Sequence, residues 1–474
     1  MVIPFEAWHK VASAFQAVRQ NRWGIEAPEQ AQPPRGDMTR TSGKTRLAAA
    51  GLVLLLATTA MACGSTNSTS TTTTAAGGSS TASKIPSSAF SDHTGITSTS
   101  VTVGNVSTLS LGGLFKGAAV GAEAYAAYVN STGGVNGRKI KVDGADDGFS
   151  GATNKQATQN AINNDFALVG SFSLEDSYGG AALAANPGMP EVANVLDTTT
   201  GQLPNVYSAV PLNGGWQEGG LQYFKKKFPA EVKAVGSMIA ELPSAQTAWQ
   251  GEKYVMEKVG YKIAYTATYG VAQTDFTPNV IAMKNAGVKI LYVDSMAETY
   301  ASSLLKDLVQ QNFHPIIVLG AATYTNKLVP DSGGPAAVNG AFLDQSTSLY
   351  LGQDKADIPA VATFLKWVQV ASPGFAPDLF TLYGWLSAQL FSQALKTAGS
   401  NPSRGSLLTE LGKITSFDGD HLIGPNNPAD KKVGNCYLIG QVVNGDFQRL
   451  DDPPTSGSTH GFRCDYSYVT PPAS

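Results

Sequence analysis

The residues best suited to chemistry argue first against catalysis. His93, His314, His421 and His460 are scattered along the chain, with no H-E-x-x-H and no pair at metal-ligand spacing, so no metal is expected. In the stretch GSTHG, Thr459 stands where a nucleophile elbow of the form G-x-S-x-G needs serine. The loop STLSLGGLFKG follows a strand-like run but lacks G-x-G-x-x-G, so no dinucleotide cofactor is expected. Cys436 and Cys464 lie 28 residues apart; outside the cytoplasm such a pair reads as a disulfide, with two buried free thiols as the alternative. Tyr269, Tyr300 and Tyr324 fall near strand ends, where they suit stacking on an apolar or aromatic ligand or, equally, core packing.

The elements that would position these residues alternate regularly. SVTVGNVS, RKIKVDGADD and FALVGSF have strand-like patterns, and AAVGAEAYAAYVN and GATNKQATQNAINND between them have helical spacing. The alternation then restarts: VKAVGSMIA, YKIAYTATY, VKILYVDSM and HPIIVLGA are strand candidates separated by amphipathic segments. GAFLDQSTSL adds a further strand, residues 358–416 hold three helical segments, and CYLIGQVVNGDFQRL closes as a hairpin on Asn444-Gly445. The fold class is therefore α/β, with two doubly wound parallel-sheet lobes. The Gly- and Pro-rich NVYSAVPLNGGWQEGG between the two series is the hinge candidate. Ligands of open α/β sheets bind beyond the carboxyl ends of the strands, so the cleft between two such lobes is the expected site.

The first 95 residues read as an address and a tether. Leu47 to Cys63 is apolar but short of the roughly 20 residues that a spanning helix needs. Arg40, Lys44 and Arg46 precede it as the charged region of a secretory signal. Ala60-Met61-Ala62-Cys63 resembles the bacterial lipoprotein signal, which implies a lipid on Cys63; cleavage after Ala62 with plain secretion is the alternative. The resemblance departs at Ala60, where that signal prefers leucine. Met38 stands where such a signal would start, which sets residues 1–37 aside as untranslated or extra leader and 38–62 as the signal peptide. Residues 63–95, rich in Ser, Thr and Gly, form a flexible tether. The 33 basic and 36 acidic residues give a net charge of −3; without residues 1–62, which hold seven basic and four acidic, it is −6. That mild acidity offers no footprint for nucleic acid.

A family resemblance rests on YVNSTGGVNGRKIKVDGADDGFSG, in which Asn130, Gly133, Gly134, Val135, Asn136, Gly137, Arg138 and Lys139 precede the acid pair Asp146 and Asp147. This looks like the first lobe of periplasmic branched-chain amino-acid binding proteins, the type I solute-binding fold. The similarity runs from about Ile96 to Leu450. It implies an extracytoplasmic, lipid-anchored receptor that hands a small polar ligand to an ABC permease and its ATPase at the membrane. A tethered sensor of the same fold is the alternative, and a secreted enzyme is disfavoured. The implied organisation is lobe 1 over 96–212, lobe 2 over 213–320, lobe 1 again over 321–430, and a hairpin returning to lobe 2 with a tail over 431–474.

In that family hydroxyls and backbone N–H groups hold a ligand carboxylate. The resemblance places Ser171, Phe172 and Ser173 there, with Ser177 at the next helix start, and Thr198, Thr199 and Thr200 on a second loop. Ser107 and Thr108 form a wall. In lobe 2 the chain departs from the family: the acid that would meet a ligand ammonium is Gln273, two residues before Asp275-Phe276-Thr277. A buried ammonium left unpaired costs several kcal/mol, so Gln273 fits a neutral amide or hydroxyl better. Asp294 or Glu298 is placed to supply a charge instead.

Overall fold

β-Branched runs and helical runs alternate from Ser100 onward, and each run becomes one layer of an α/β lobe. The computed structural model describes residues 85–470 apart from Leu111, Asn213, Gly214, Val271, Asp294 and Ser295. The expected signal, Cys63 and residues 63–84 of the expected tether lie outside the described residues, as does Asp294. Residues 85–95 are instead part of the folded body, with a short helical turn at Ser87–Ser91 and Asp92 bound by Arg404.

Strands β1 (Ser100–Ser107), β2 (Lys139–Asp146), β3 (Ala167–Val169), β4 (Glu191–Val192) and β5 (Val206–Tyr207) form a parallel sheet in the order β2-β1-β3-β4-β5. Helix α1 (Lys116–Ser131) packs against one face, and α2 (Gly151–Asn164) and α3 (Asp176–Ala185) against the other. The second sheet repeats that order. Strands β7 (Val235–Ala240), β8 (Ile263–Tyr269), β9 (Ile290–Val293), β10 (Ile316–Gly320) and β11 (Phe342–Gln345) run parallel as β8-β7-β9-β10-β11. The hairpin β12 (Leu438–Val443) and β13 (Asp446–Arg449) then extends the sheet antiparallel to β11. Asn444 and Gly445 both take positive φ at its turn, as the Asn-Gly pair predicts. Helices α4 (Gly219–Lys227), α5 (Pro243–Val259), α6 (Thr277–Asn285) and α7 (Glu298–Gln310) cover this lobe.

The chain returns to lobe 1 for α8 (Pro359–Ala371), α9 (Leu379–Thr397) and α10 (Arg404–Leu411). A capping box starts α9, where the Asp378 side chain and Thr381 satisfy each other's backbone N–H groups. Helices α1 and α9 cross at backbone distance. A Cβ on Gly121 would sit 1.9 Å from the Thr381 carbonyl oxygen, and one on Gly384 2.0 Å from that of Ala118.

One boundary differs from the sequence reading. β11 belongs to the second sheet, so the crossing back to lobe 1 follows Gln345 rather than residue 320. The run GAFLDQSTSL announces a strand, but which sheet edge it joins is decided by the β10 register, which local pattern does not carry. That crossing and the later one at residues 422–424 lie side by side: Thr347 pairs antiparallel with Ile423, and Ser348 N–H donates to Leu422 O at 2.9 Å. A file of rings passes through it from lobe 2 to lobe 1. Phe447 meets Tyr324 at 4.6 Å between centroids, Tyr324 meets Tyr350 at 5.0 Å, Tyr350 meets Phe364 at 5.7 Å, and Phe364 meets Trp385 at 5.5 Å.

Both described ends are pinned. Arg404 holds Asp92 at 2.8 Å on lobe 1. The tail is bonded by the Cys436–Cys464 disulfide and by β14 (Tyr468–Val469) on β6 (Trp216–Gln217), beside the lobe 2 core. Closing a loop of that length is worth on the order of 3 kcal/mol.

Candidate ligand-binding site

In a sheet ordered 2-1-3-4-5 the strand order reverses between β1 and β3, and a crevice opens beyond their carboxyl ends. Ser107-Thr108 and Ser171-Phe172-Ser173 leave the sheet at that point. They are joined directly: Thr108 N–H donates to Phe172 O at 3.0 Å, and Phe172 N–H to Ser107 Oγ at 3.1 Å. The structure therefore brings the first two predicted loops together. Their hydroxyls, however, turn inward. Ser107, Thr108, Ser171 and Ser173 are buried, and Asp147 gathers the donors. Its Oδ2 accepts from Thr108 Oγ1 at 3.1 Å, from Asn154 Nδ2 at 3.1 Å and from Ser173 Oγ in a very short contact. Ser171 Oγ accepts from Val106 N–H at 3.1 Å. In this conformation these four residues shape the crevice rather than offer hydroxyls to it. Sequence alone could not separate the two roles, because a loop hydroxyl has the same letter whether it points to ligand or to a buried carboxylate.

The threonine loop behaves differently. Thr198 and Thr199 are exposed in a single helical turn, while Thr200 is buried and donates through N and Oγ1 to Asp197 at 2.7 and 2.9 Å. The turn hangs on α3: the Asp176 carboxylate accepts from Leu196 N–H and, at 3.1 Å, from Asp197 N–H. Burial pushes that carboxyl up to about 6, against the pull of those donors. Ser177 is exposed at the same helix start.

Phe172 is buried, and sequence reasoning missed its company. Its ring lies 4.7 Å from Phe115 and 4.9 Å from Phe380, Phe115 lies 4.6 Å from Phe380, and Tyr383 stacks on Phe172 at 6.1 Å. Phe380 is half-buried, so this aromatic group keeps an accessible edge. The available signal was Phe380 and Tyr383 three apart behind the capping residue Asp378, one face of the helix start.

In lobe 2 the strands β7 to β10 also end in loops. Tyr269 closes β8; it is buried, with Phe276 at 5.9 Å and Tyr300 at 5.1 Å, and Tyr300 is half-buried. Gln273 is half-buried, its Nε2 donating to Asn279 Oδ1 at 3.0 Å and to Asp275 O at 3.1 Å. Glu298 is buried at the start of α7, which raises its carboxyl pKa. Tyr324 is a correction: it is completely buried, and its hydroxyl accepts from Leu351 N–H at 3.0 Å. It belongs to the ring file between the lobes, not to a ligand surface.

A cavity of about 720 Å³ lies elsewhere, against β13, with Thr325, Asn326, Gln353, Phe447 and Arg449 in its lining. It contains none of the predicted ligand residues.

Two parallel sheets of one topology, joined by adjacent crossovers, define the type I periplasmic binding fold. The model of the periplasmic binding protein family matches residues 100–446, and the chain belongs to that family. It is 27% identical over 316 residues to the Leu/Ile/Val-binding protein homolog 1 of Brucella abortus, covering 63% of this chain and 79% of that protein. Among solved structures it is similar to the fatty acid ABC transporter substrate-binding protein from Thermomonospora curvata, with TM-score 0.62, 18% identity, and 80% and 95% of the two chains covered. It is also similar to the branched-chain amino acid transporter substrate binding protein of Streptococcus pneumoniae in complex with isoleucine, with TM-score 0.60, 16% identity, and 78% and 100% covered. Among the described residues no helix is long and apolar enough to cross a membrane.

Proposed function

We propose that this protein is an extracytoplasmic receptor, anchored through a lipid on Cys63, that closes its two lobes on a small carboxylate-bearing ligand and delivers it to an ABC permease. The observation that supports the reading is that both sheets share one parallel strand order, with Thr198, Thr199 and the Phe172 ring group beyond strands of the first and Gln273 and Tyr300 beyond strands of the second. The Brucella abortus relative is named as a Leu/Ile/Val-binding protein homolog, and the similar solved structures include a fatty acid transporter's binding protein and an isoleucine complex, which supports an amino acid or a carboxylate with a larger apolar body. Here Thr198 and Thr199 take the carboxylate, Phe380 and Tyr300 take an apolar or aromatic body, and Gln273 meets a neutral polar group. Ser107, Thr108, Ser171 and Ser173 hold the first crevice in shape, and Asp294 or Glu298 supplies the charge for any ligand cation.

A thermal-shift screen of the purified chain against amino acids, fatty acids and aromatic acids tests this. A ligand at 100 times its Kd should stabilise by about 2.7 kcal/mol. Thr199→Val and Gln273→Ala should each weaken the best ligand about tenfold while leaving the unliganded melting temperature unchanged. Unaltered affinity in both variants removes the site assignment, and no shift from any compound removes the receptor reading. For the anchor, Cys63→Ser should move the protein from the membrane fraction to the medium; retention of the variant at the membrane refutes lipidation.

A further inference from the structure

Three residues that the ligand reading does not use meet where the third crossover touches the tail. Asp418, His421 and His460 each present one ligand atom, and these atoms lie within 4.8 Å of one another. His421 Nδ1 is 2.7 Å from Asp418 Oδ2, and the two imidazoles face each other at 3.3 Å between centroids with 27° between planes. All three are half-buried.

The backbone delivers them at some expense. Gly419, Asp420 and His421 are successive residues at positive φ (60°, 57° and 74°), and His460 and Gly461 follow suit at 51° and 75°. A left-handed non-glycine residue costs roughly 1 kcal/mol, and here both histidines adopt it. Each turn is held fast. Asp418 Oδ1 accepts from Asp420 N–H at 3.1 Å, and Gln389 Nε2 donates to Asp420 Oδ2 at 2.7 Å. On the other side Gly461 N–H donates to Ser456 O at 3.1 Å, and Arg449 Nη1 to Gly461 O at 3.1 Å.

We propose that Asp418, His421 and His460 form a binding site for a transition-metal dication of the zinc class. Two imidazoles and one carboxylate are a borderline-soft donor set that suits Zn²⁺, Ni²⁺ or Cu²⁺, whereas Ca²⁺ and Mg²⁺ require oxygen ligands throughout. Bonds of about 2.0–2.2 Å put neighbouring ligand atoms of a tetrahedral zinc roughly 3.4 Å apart. The observed cluster reaches that by a small swing of the two rings and loss of the Asp418–His421 hydrogen bond. The 39-position separation of His421 and His460 hid this group from motif spacing. Its place gives the ion a consequence: His421 adjoins the crossover pairing of Ile423 with Thr347, while His460 rides on the tail bonded through Cys464. A metal there ties hinge to tail.

The test is calorimetric titration of ZnCl₂ into the tag-free full chain, previously stripped with chelator, at pH 7.5. One ion per chain at micromolar or tighter Kd is expected. His421→Asn and His460→Asn, chosen because asparagine tolerates positive φ, should each weaken binding at least tenfold, and the double variant should abolish it. Co²⁺ should show the intense visible d–d bands of tetrahedral coordination in the parent and only the weak absorption of the hydrated ion with the double variant. The melting temperature without metal reports whether the variants fold. Zinc bound equally well by a folded double variant, or not bound by the parent, overturns the site.

Discussion

Glu191→Gln should leave stability unchanged near pH 4 and raise it by about 5 kcal/mol above pH 8. Glu191 sits on β4 with 5% of its surface exposed, and burial, followed by the nearby Asp176 charge, pushes its carboxyl from 4.5 up to about 8. Its Oε2 makes no hydrogen bond within the protein, nor do Asn154 Oδ1 and Asn194 Oδ1, which line the same small cavity with Asp176. The sign follows from where the proton resides. Below pH 4.5 the group is protonated in both states and no penalty arises. Between 4.5 and 8 the unfolded chain releases the proton while the folded chain retains it, so stability falls by about 1.4 kcal/mol per pH unit. Glutamine removes the titration and keeps the volume. Chemical denaturation of parent and variant at pH 4, 6 and 8.5 checks this, and parallel stability profiles would refute it.

The second large effect lies at the edge of the other sheet. Arg449→Met should cost about 3–5 kcal/mol, because it strands a buried carboxylate. Arg449 and Asp354 side chains are 1% and 0% exposed and meet as a fork, Nη2 to Oδ2 at 2.6 Å and Nε to Oδ1 at 3.1 Å. The remaining Arg449 Nη1 donates to the carbonyls of Asp452 at 2.9 Å and Gly461 at 3.1 Å, so one side chain organises β13, the second crossover and the tail. Adding Asp354→Asn should recover part of the loss, since the orphaned charge is then gone. A double-mutant cycle by urea denaturation measures the coupling. A loss under 1 kcal/mol in the single variant would show that water reaches this pair.

These two sites mark what the sequence did and did not disclose. SVTVGNVS became β1 residue for residue, and YKIAYTATY and HPIIVLGA enclose β8 and β10, because period-two runs bounded by helical segments are local signals. The disulfide partners were legible because only two cysteines remain once Cys63 is set aside for the anchor. Arg449 and Asp354 stand 95 positions apart, and no local pattern pairs them. β6 and β14, two residues each, carry no alternation to read. The crevice loops were found, but the inward turn of Thr108 and Ser173 depends on Asp147 arriving from another strand. Tyr324 at a strand end reads alike whether it faces a cleft or a hinge core, and here Tyr350 and Phe447 decide the matter.

The anchoring of the two described ends on different lobes has a practical corollary. Asp92 is fastened to α10 by Arg404, whereas Val469 is fastened beside the lobe 2 core by Trp216. A donor fluorophore near the first position and an acceptor near the last would therefore ride on separate lobes, and a change in energy transfer on adding ligand would test the proposed closure without a label in the crevice.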